Sequence, residues 1–211
     1  MFLSQSKALR LDQRGVKKAL QHPMLKGKKS FGRGKFAAVF EGTRNNTIMK
    51  LMLDNVSYDM LNDSHVGVEH SMFPKVWKNF GEVGEVRFGD KIFPLYLSEI
   101  ERLEKLRSLA AKRLARCLSD VSVSVSGKYW RLPVEEQAAR SFGEMANNKN
   151  LPIRARNALR QLEMFSSNTP GGSIDMHMGN FMQRGNGELV INDPIANMNI
   201  YTAAMNHFYR R

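Results

Sequence analysis

Residues 173–193 read Ser-Ile-Asp-Met-His-Met-Gly-Asn-Phe-Met-Gln-Arg-Gly-Asn-Gly-Glu-Leu-Val-Ile-Asn-Asp, and three of their side chains, Asp175, Asn180 and Asp193, are spaced as a metal-nucleotide site requires. Two apolar runs, Phe181-Met182 and Leu189-Val-Ile191, flank Gly185-Asn186-Gly187. Asn-Gly is favoured in the type I′ hairpin turn, whose two central residues both have positive φ. The pattern therefore predicts a hairpin that returns Asp193 to the side of Asn180. Two oxygen ligands brought together in this way suit Mg²⁺, a hard cation held by one or two protein groups plus phosphate oxygens and water. Asp175, just upstream, is left free to act as a base. Because Asp, Asn and Gly are also ordinary turn residues, a plain polar turn fits the same letters, and the remainder of the chain has to decide.

Upstream, Phe31-Gly-Arg-Gly-Lys-Phe-Ala-Ala-Val-Phe40 predicts a Gly-rich turn between two strands, and Thr47-Ile-Met-Lys-Leu-Met-Leu53 predicts an apolar strand with Lys50 inside it. This resembles the protein-kinase pattern G-x-G-x-x-G-x-V followed by a strand Lys. On that resemblance Gly32 and Gly34 let the backbone lie close over phosphates, Phe36 caps the loop tip, Val39 faces adenine, and Lys50 neutralises the α- and β-phosphates. Ala37 stands where the third Gly would be. Taken alone, a Lys in an apolar strand is more often an edge-strand residue that discourages aggregation.

Between these landmarks, residues 54–64 predict a short helix with Val56, Met60 and Leu61 on one side. It should carry the acidic partner of Lys50, for which Asp59, Asp63 and Glu69 are the candidates. Residues 91–100 predict a strand running into a helix from Glu101 to about Leu118, the shape of a hinge, with adenine bonded to backbone near Leu97 to Glu99. Ser119 to Gly127 alternates Ser and Val, which suits a short strand or a mobile loop alike. Pro133 opens one helix, and a second runs from about Pro152 to Phe165. At the start of the chain, Leu9, Val16 and Leu20 mark a short basic packing helix from Ser4 to His22 that stops before Pro23.

The chain has 211 residues, 42% hydrophobic and 25% charged, which suits one compact domain. No window approaches the apolar length of a membrane span, and Met1-Phe-Leu leads at once into Ser-Gln-Ser-Lys, not into the apolar core of a signal peptide. The single Cys117 has no partner for an intramolecular disulfide, so a reducing cytoplasm fits. A formal charge of +12 attracts anionic partners. Because Lys and Arg are spread along the chain, a solvated basic surface is favoured over a dedicated nucleic-acid groove, with nucleic acid a secondary partner.

Asp175-Met-His-Met-Gly-Asn180 and Asn192-Asp-Pro194, with the Gly-rich loop and Lys50, resemble the early serine/threonine protein kinases of autographiviral coliphages. The resemblance implies an α+β, minimal bilobal kinase, with residues 1–97 as N-terminal helix and sheet lobe and 98–211 as a reduced helical lobe. It implies ATP and Mg²⁺ as cofactors, Asp175, Lys50 and His177 as catalytic residues, and Asn180 and Asp193 as metal ligands. It also implies that host proteins, including transcription or RNA-processing machinery, are phosphorylated in the bacterial cytoplasm. Ser-Ile-Asp replaces His-Arg-Asp, Asn-Asp-Pro replaces Asp-Phe-Gly, and the 18 residues after Asp193 leave no Ala-Pro-Glu segment. The Asp-x-His-x-Gly-Asn form is also similar to aminoglycoside- and choline-type kinases, in which His replaces the Lys of protein kinases; those carry a larger helical lobe with acidic residues. A nucleotide-binding pseudokinase inhibitor of a host protein is a third reading, against which Lys50, Asp175, Asn180 and Asp193 all argue. His177 is expected to brace the loop, since a neutral imidazole brings little charge to a phosphate near pH 7.

Overall fold

The computed structural model describes residues 17–34, 36–63, 72–169 and 171–209. It is an α+β protein built on a five-stranded antiparallel sheet in the order β1-β2-β3-β5-β4. The strands are β1 (Ser30–Arg33), β2 (Ala37–Glu41), β3 (Thr47–Met52), β4 (Val76–Phe88) and β5 (Lys91–Glu101). Helix α1 (Asn55–Asn62) follows β3, with Asp54 as its cap: the Asp54 Oδ1 accepts from Ser57 N at 3.0 Å.

The chain divides into two compact units. The first holds residues 1–58, 76–102 and 198–211, and the second residues 59–75 and 103–197. The boundary expected after residue 97 thus falls at Arg102, because β5 runs on to Glu101 in full register with β3. A further difference is that α5 (Met198–Tyr209) rejoins the sheet unit.

In the first unit, alternation sorts the strands into two faces. Ala38, Phe40, Met49, Leu51, Val86, Leu95 and Leu97 bury one face against Ala19, Leu25 and, from α5, Ile200 and Ala204. Of the expected helix from Ser4 to His22, Lys17–Ala19 is helical and Leu20, in the turn that follows, packs on the core, whereas Leu9 and Val16 lie outside the described residues. The other face carries Lys50.

The second unit packs α2 (Leu109–Ser126), α3 (Val134–Asn147) and α4 (Ile153–Asn168) around residues such as Ala115, Leu118, Phe142, Leu159 and Leu162. Two short ladders complete it: β6 (Gly172–Ile174) with β9 (Ile195–Asn197), and β7 (Phe181–Gln183) with β8 (Leu189–Ile191). Helix α2 starts eight residues later than expected. The chain before it stays extended because Glu104 exchanges main-chain hydrogen bonds with Gln183, at 2.8 and 2.9 Å. The Ser-Val alternation of 119–127 is helical up to Ser126, since Leu118, Ser122 and Val125 share the buried side of α2 and burial outweighs the β preference of Val. Among the described residues, no helix is long and apolar enough to cross a membrane.

Candidate active site

Within the second unit, two main-chain hydrogen bonds gather the residues of the opening stretch. Asp175 N donates to the Pro194 carbonyl at 2.8 Å, and Asn192 N donates to the Asn180 carbonyl at 2.9 Å. The first continues the β6–β9 ladder by one step beyond Ile174 and Ile195; the second continues the β7–β8 ladder beyond Phe181 and Ile191. Asp175, Asn180 and Asp193 are thereby held at the shared end of two small sheets, each half-buried. The Asn180 side chain adds a third tie, its Nδ2 donating to the Asp175 carbonyl at 2.6 Å.

His177 caps the 3₁₀ turn Met178–Asn180, its Nδ1 accepting from Gly179 N at 3.0 Å. Its Nε2 lies 3.6 Å from the Asp175 Oδ1, an exposed pair beyond direct hydrogen-bond length. The ring sits so close over Gly179 that a Cβ there would meet His177 Cε1 at 2.8 Å. Gly179 is therefore a steric requirement of the His177 cap.

The hairpin itself differs from the expected turn. Asn186 does not have positive φ; Gly187 does, at 85°. Gly187 N donates to the Arg184 carbonyl and Arg184 N to the Glu188 carbonyl, both at 2.9 Å, which makes a three-residue loop whose last residue is left-handed. Asn186 serves instead through its side chain, its Oδ1 accepting from Glu188 N. A separate hydrogen bond from the Asn186 side chain to the Glu188 carboxylate, aided against burial by Arg154 at 3.2 Å and Arg184 at 3.8 Å, holds that carboxyl below the usual range. These contacts pin the hairpin to α4, and Ile191 N donating to the Met72 carbonyl at 2.6 Å pins its other strand.

In the first unit, strand register lines up Gly32, Val39, Lys50 and Ser98 as one row across β1, β2, β3 and β5. Directly opposed residues share a face, so three of the expected nucleotide-binding residues are neighbours. Lys50 is only 4% exposed and sits on the third strand of five, so the edge-strand explanation does not apply. Neither Gly32 nor Gly34 has positive φ, and a Cβ at Gly32 would meet nothing within 4 Å. The fold itself does not demand glycine there.

Three expectations are corrected. Phe36, expected as a cap on the loop tip, is half-buried and packs edge-on to Tyr201 of α5, with ring centroids 6.4 Å apart. Leu97 and Glu99, expected to offer backbone to adenine, lie in β5 between β3 and β4, so their main chains are paired on both sides. Their side chains also belong to the face opposite Lys50. Leu97 is in the core, and Glu99, 2% exposed, ties the β2–β3 turn by accepting from Thr43 N (2.7 Å), Thr43 Oγ1 (2.8 Å) and Thr47 Oγ1 (2.6 Å). Burial alone would raise the Glu99 carboxyl, but the bonds from Thr47 and Thr43 outweigh it and hold it below the usual range. Of the candidate partners for Lys50, Asp59 is exposed on α1, Asp63 follows that helix, and Glu69 lies outside the described residues.

Among residues the sequence did not single out, Gln183 matters most. Buried beside the site, its Oε1 accepts from Arg107 N at 2.7 Å and Ser108 N at 2.9 Å. Nothing in its local pattern distinguishes it from any polar residue of a short strand.

Comparison with known protein families, with curated proteins and with solved structures found no match.

Proposed function

We propose that the protein is an ATP- and Mg²⁺-dependent phosphotransferase of minimal bilobal kinase type, acting on Ser or Thr hydroxyls of bacterial host proteins during phage infection. The observation that carries this reading is the pair of main-chain bonds, Asp175 to Pro194 and Asn192 to Asn180, that bring Asp175, Asn180 and Asp193 to one place. The donor set fits the cation. With its Nδ2 given to the Asp175 carbonyl, Asn180 keeps its Oδ1 for a ligand, and with the Asp193 carboxylate this makes a hard-oxygen pair. When bound, the cation neutralises phosphate charge as the γ-phosphoryl group is transferred.

Asp175 orients the attacking hydroxyl and accepts its proton. Lys50, central in its sheet and held in register with Val39 and Gly32, has the phosphate-neutralising role, and the unencumbered Gly32 leaves room for a phosphate to approach backbone. His177 holds the loop through the Gly179 amide and needs no charge to do so. A strongly basic surface favours anionic protein partners over cationic antibiotics, which separates this reading from the aminoglycoside-type alternative. Titration calorimetry of Mg-ATP tests the assignment of roles. Asp193→Ala should lose metal-dependent binding while Asp175→Asn retains it; equal binding by Asp193→Ala and wild type would remove Asp193 from the metal site.

A further inference from the structure

Residues 105–116 read Lys-Leu-Arg-Ser-Leu-Ala-Ala-Lys-Arg-Leu-Ala-Arg, five cations with no carboxylate from Lys105 to Ser119. In the structure all five, Lys105, Arg107, Lys112, Arg113 and Arg116, are exposed. None of them makes an ion pair with a described residue. Five exposed cations at this density, bounded by Glu104 and Asp120, raise the local potential.

The place of the run gives it meaning. Gln183, on the strand leading from Asn180, accepts from the amides of Arg107 and Ser108, so the basic segment is tied directly to β7. Gly187, at the hairpin tip, comes within 3.5 Å of Ser108 when a Cβ is placed on it. Helix α2 also lies against the turn Met178–Asn180. The basic segment therefore begins at the tip of the hairpin whose other end holds Asn180, and the helix it opens reaches the turn Met178–Asn180. Among them stands Leu109, 62% exposed on the first turn of α2, on the same side as Lys112, Arg113 and Arg116 by helical spacing.

Resting on the phosphotransferase reading, we infer that the exposed side of α2 is the docking surface for an acidic segment of the protein substrate, beside the hydroxyl that receives phosphate. Charge complementarity sets the sign of the partner. The chemistry of the stripe sets its class: an apolar Leu109 among cations matches a peptide that alternates carboxylates with an apolar anchor. Residues 102–117 contain no aromatic side chain on which a nucleic-acid base could stack. Binding at this surface is electrostatic, exposed and sensitive to salt.

The test uses the full chain and the triple variant Lys112→Ala/Arg113→Ala/Arg116→Ala, whose positions are exposed, with a thermal melt to show that folding is unchanged. Fluorescence anisotropy measures binding of a labelled peptide with one Ser flanked by Glu, Asp and a Leu, and of a counterpart with Gln and Asn in place of the acids. Three exposed charge contacts together account for about a tenfold change. The acidic peptide should bind wild type at least that much more tightly than the neutral one, and the variant should lose the difference. Equal binding of the two peptides, or unchanged binding by the variant, overturns the inference. So does loss of duplex DNA binding in the variant with peptide binding intact, which would make the surface a nucleic-acid site. Labelled ATP is then supplied to both peptides. Binding that follows the prediction without any transfer leaves the docking surface standing and counts against the phosphotransferase reading; transfer to both peptides with equal KM counts only against docking.

Discussion

At the scale of single residues, the candidate centre depends on atoms that are not themselves reactive. Gly179 is the clearest. A methyl group there would lie 2.8 Å from His177 Cε1 and 3.0 Å from Nδ1, so the ring must swing away and release the Gly179 amide. A shift of about 1 Å in a positioning group costs on the order of 10²-fold in rate. Gly179→Ala should therefore lower kcat by up to about that factor, with Mg-ATP affinity and the melting temperature little changed. Steady-state kinetics alongside a thermal melt would check it; wild-type kcat in the variant would show that the loop does not depend on the cap.

At the scale of elements, the β2–β3 connection has its own titratable clasp in Glu99. Its ordinary value is 4.5, and the folded protein holds it lower. With the folded value below the unfolded one, its stabilisation is fully present above the unfolded value and is lost as pH falls through the folded one. Glu99→Gln should destabilise the protein at pH 7, by about 1–3 kcal/mol for a buried charge-assisted set of bonds. The gap from wild type should narrow as the solution is acidified below the unfolded value. Denaturant melts across that range test the sign, and a gap that widened on acidification would refute it. Gly187→Ala should cost about 1–2 kcal/mol because its φ of 85° is left-handed; a variant as stable as wild type would contradict the loop geometry. Elements built from local pattern were legible in advance: β3 around Lys50, α1 with Val56 and Met60 buried, the hairpin around Gly185–Gly187, and the helix after Pro133. Those set by distant partners were not. The start of α2 is decided by Gln183, 75 residues from Ser108, and the Ser-Val run is helical because of what it buries against. Glu99 looked like part of a hinge because the extent of β5 depends on its pairing with β3, which no local pattern reveals.

At the scale of the whole molecule, two compact units each gather part of the expected set. A register row unites Gly32, Val39 and Lys50 in the first, and paired ladders unite Asp175, Asn180 and Asp193 in the second. The order of these residues along the chain was readable because motif spacing is local; the row and the ladders emerge only from long-range pairing. A charge of +12 should make association with anionic protein substrates fall steeply with ionic strength, since the field is screened beyond a Debye length of about 8 Å at physiological salt. Initial rates on an acidic protein at low and high salt would show it, and salt-independent rates would contradict it. The most direct measurement is transfer of the γ-phosphate from labelled ATP, with Mg²⁺, to proteins of a bacterial extract by the wild-type chain and by Asp175→Asn, followed by phosphosite mapping. A positioned general base contributes on the order of 10²–10⁴-fold. The account predicts label on Ser and Thr of extract proteins that falls by that factor in Asp175→Asn; label confined to small molecules, no label at all, or equal label from both proteins would contradict it.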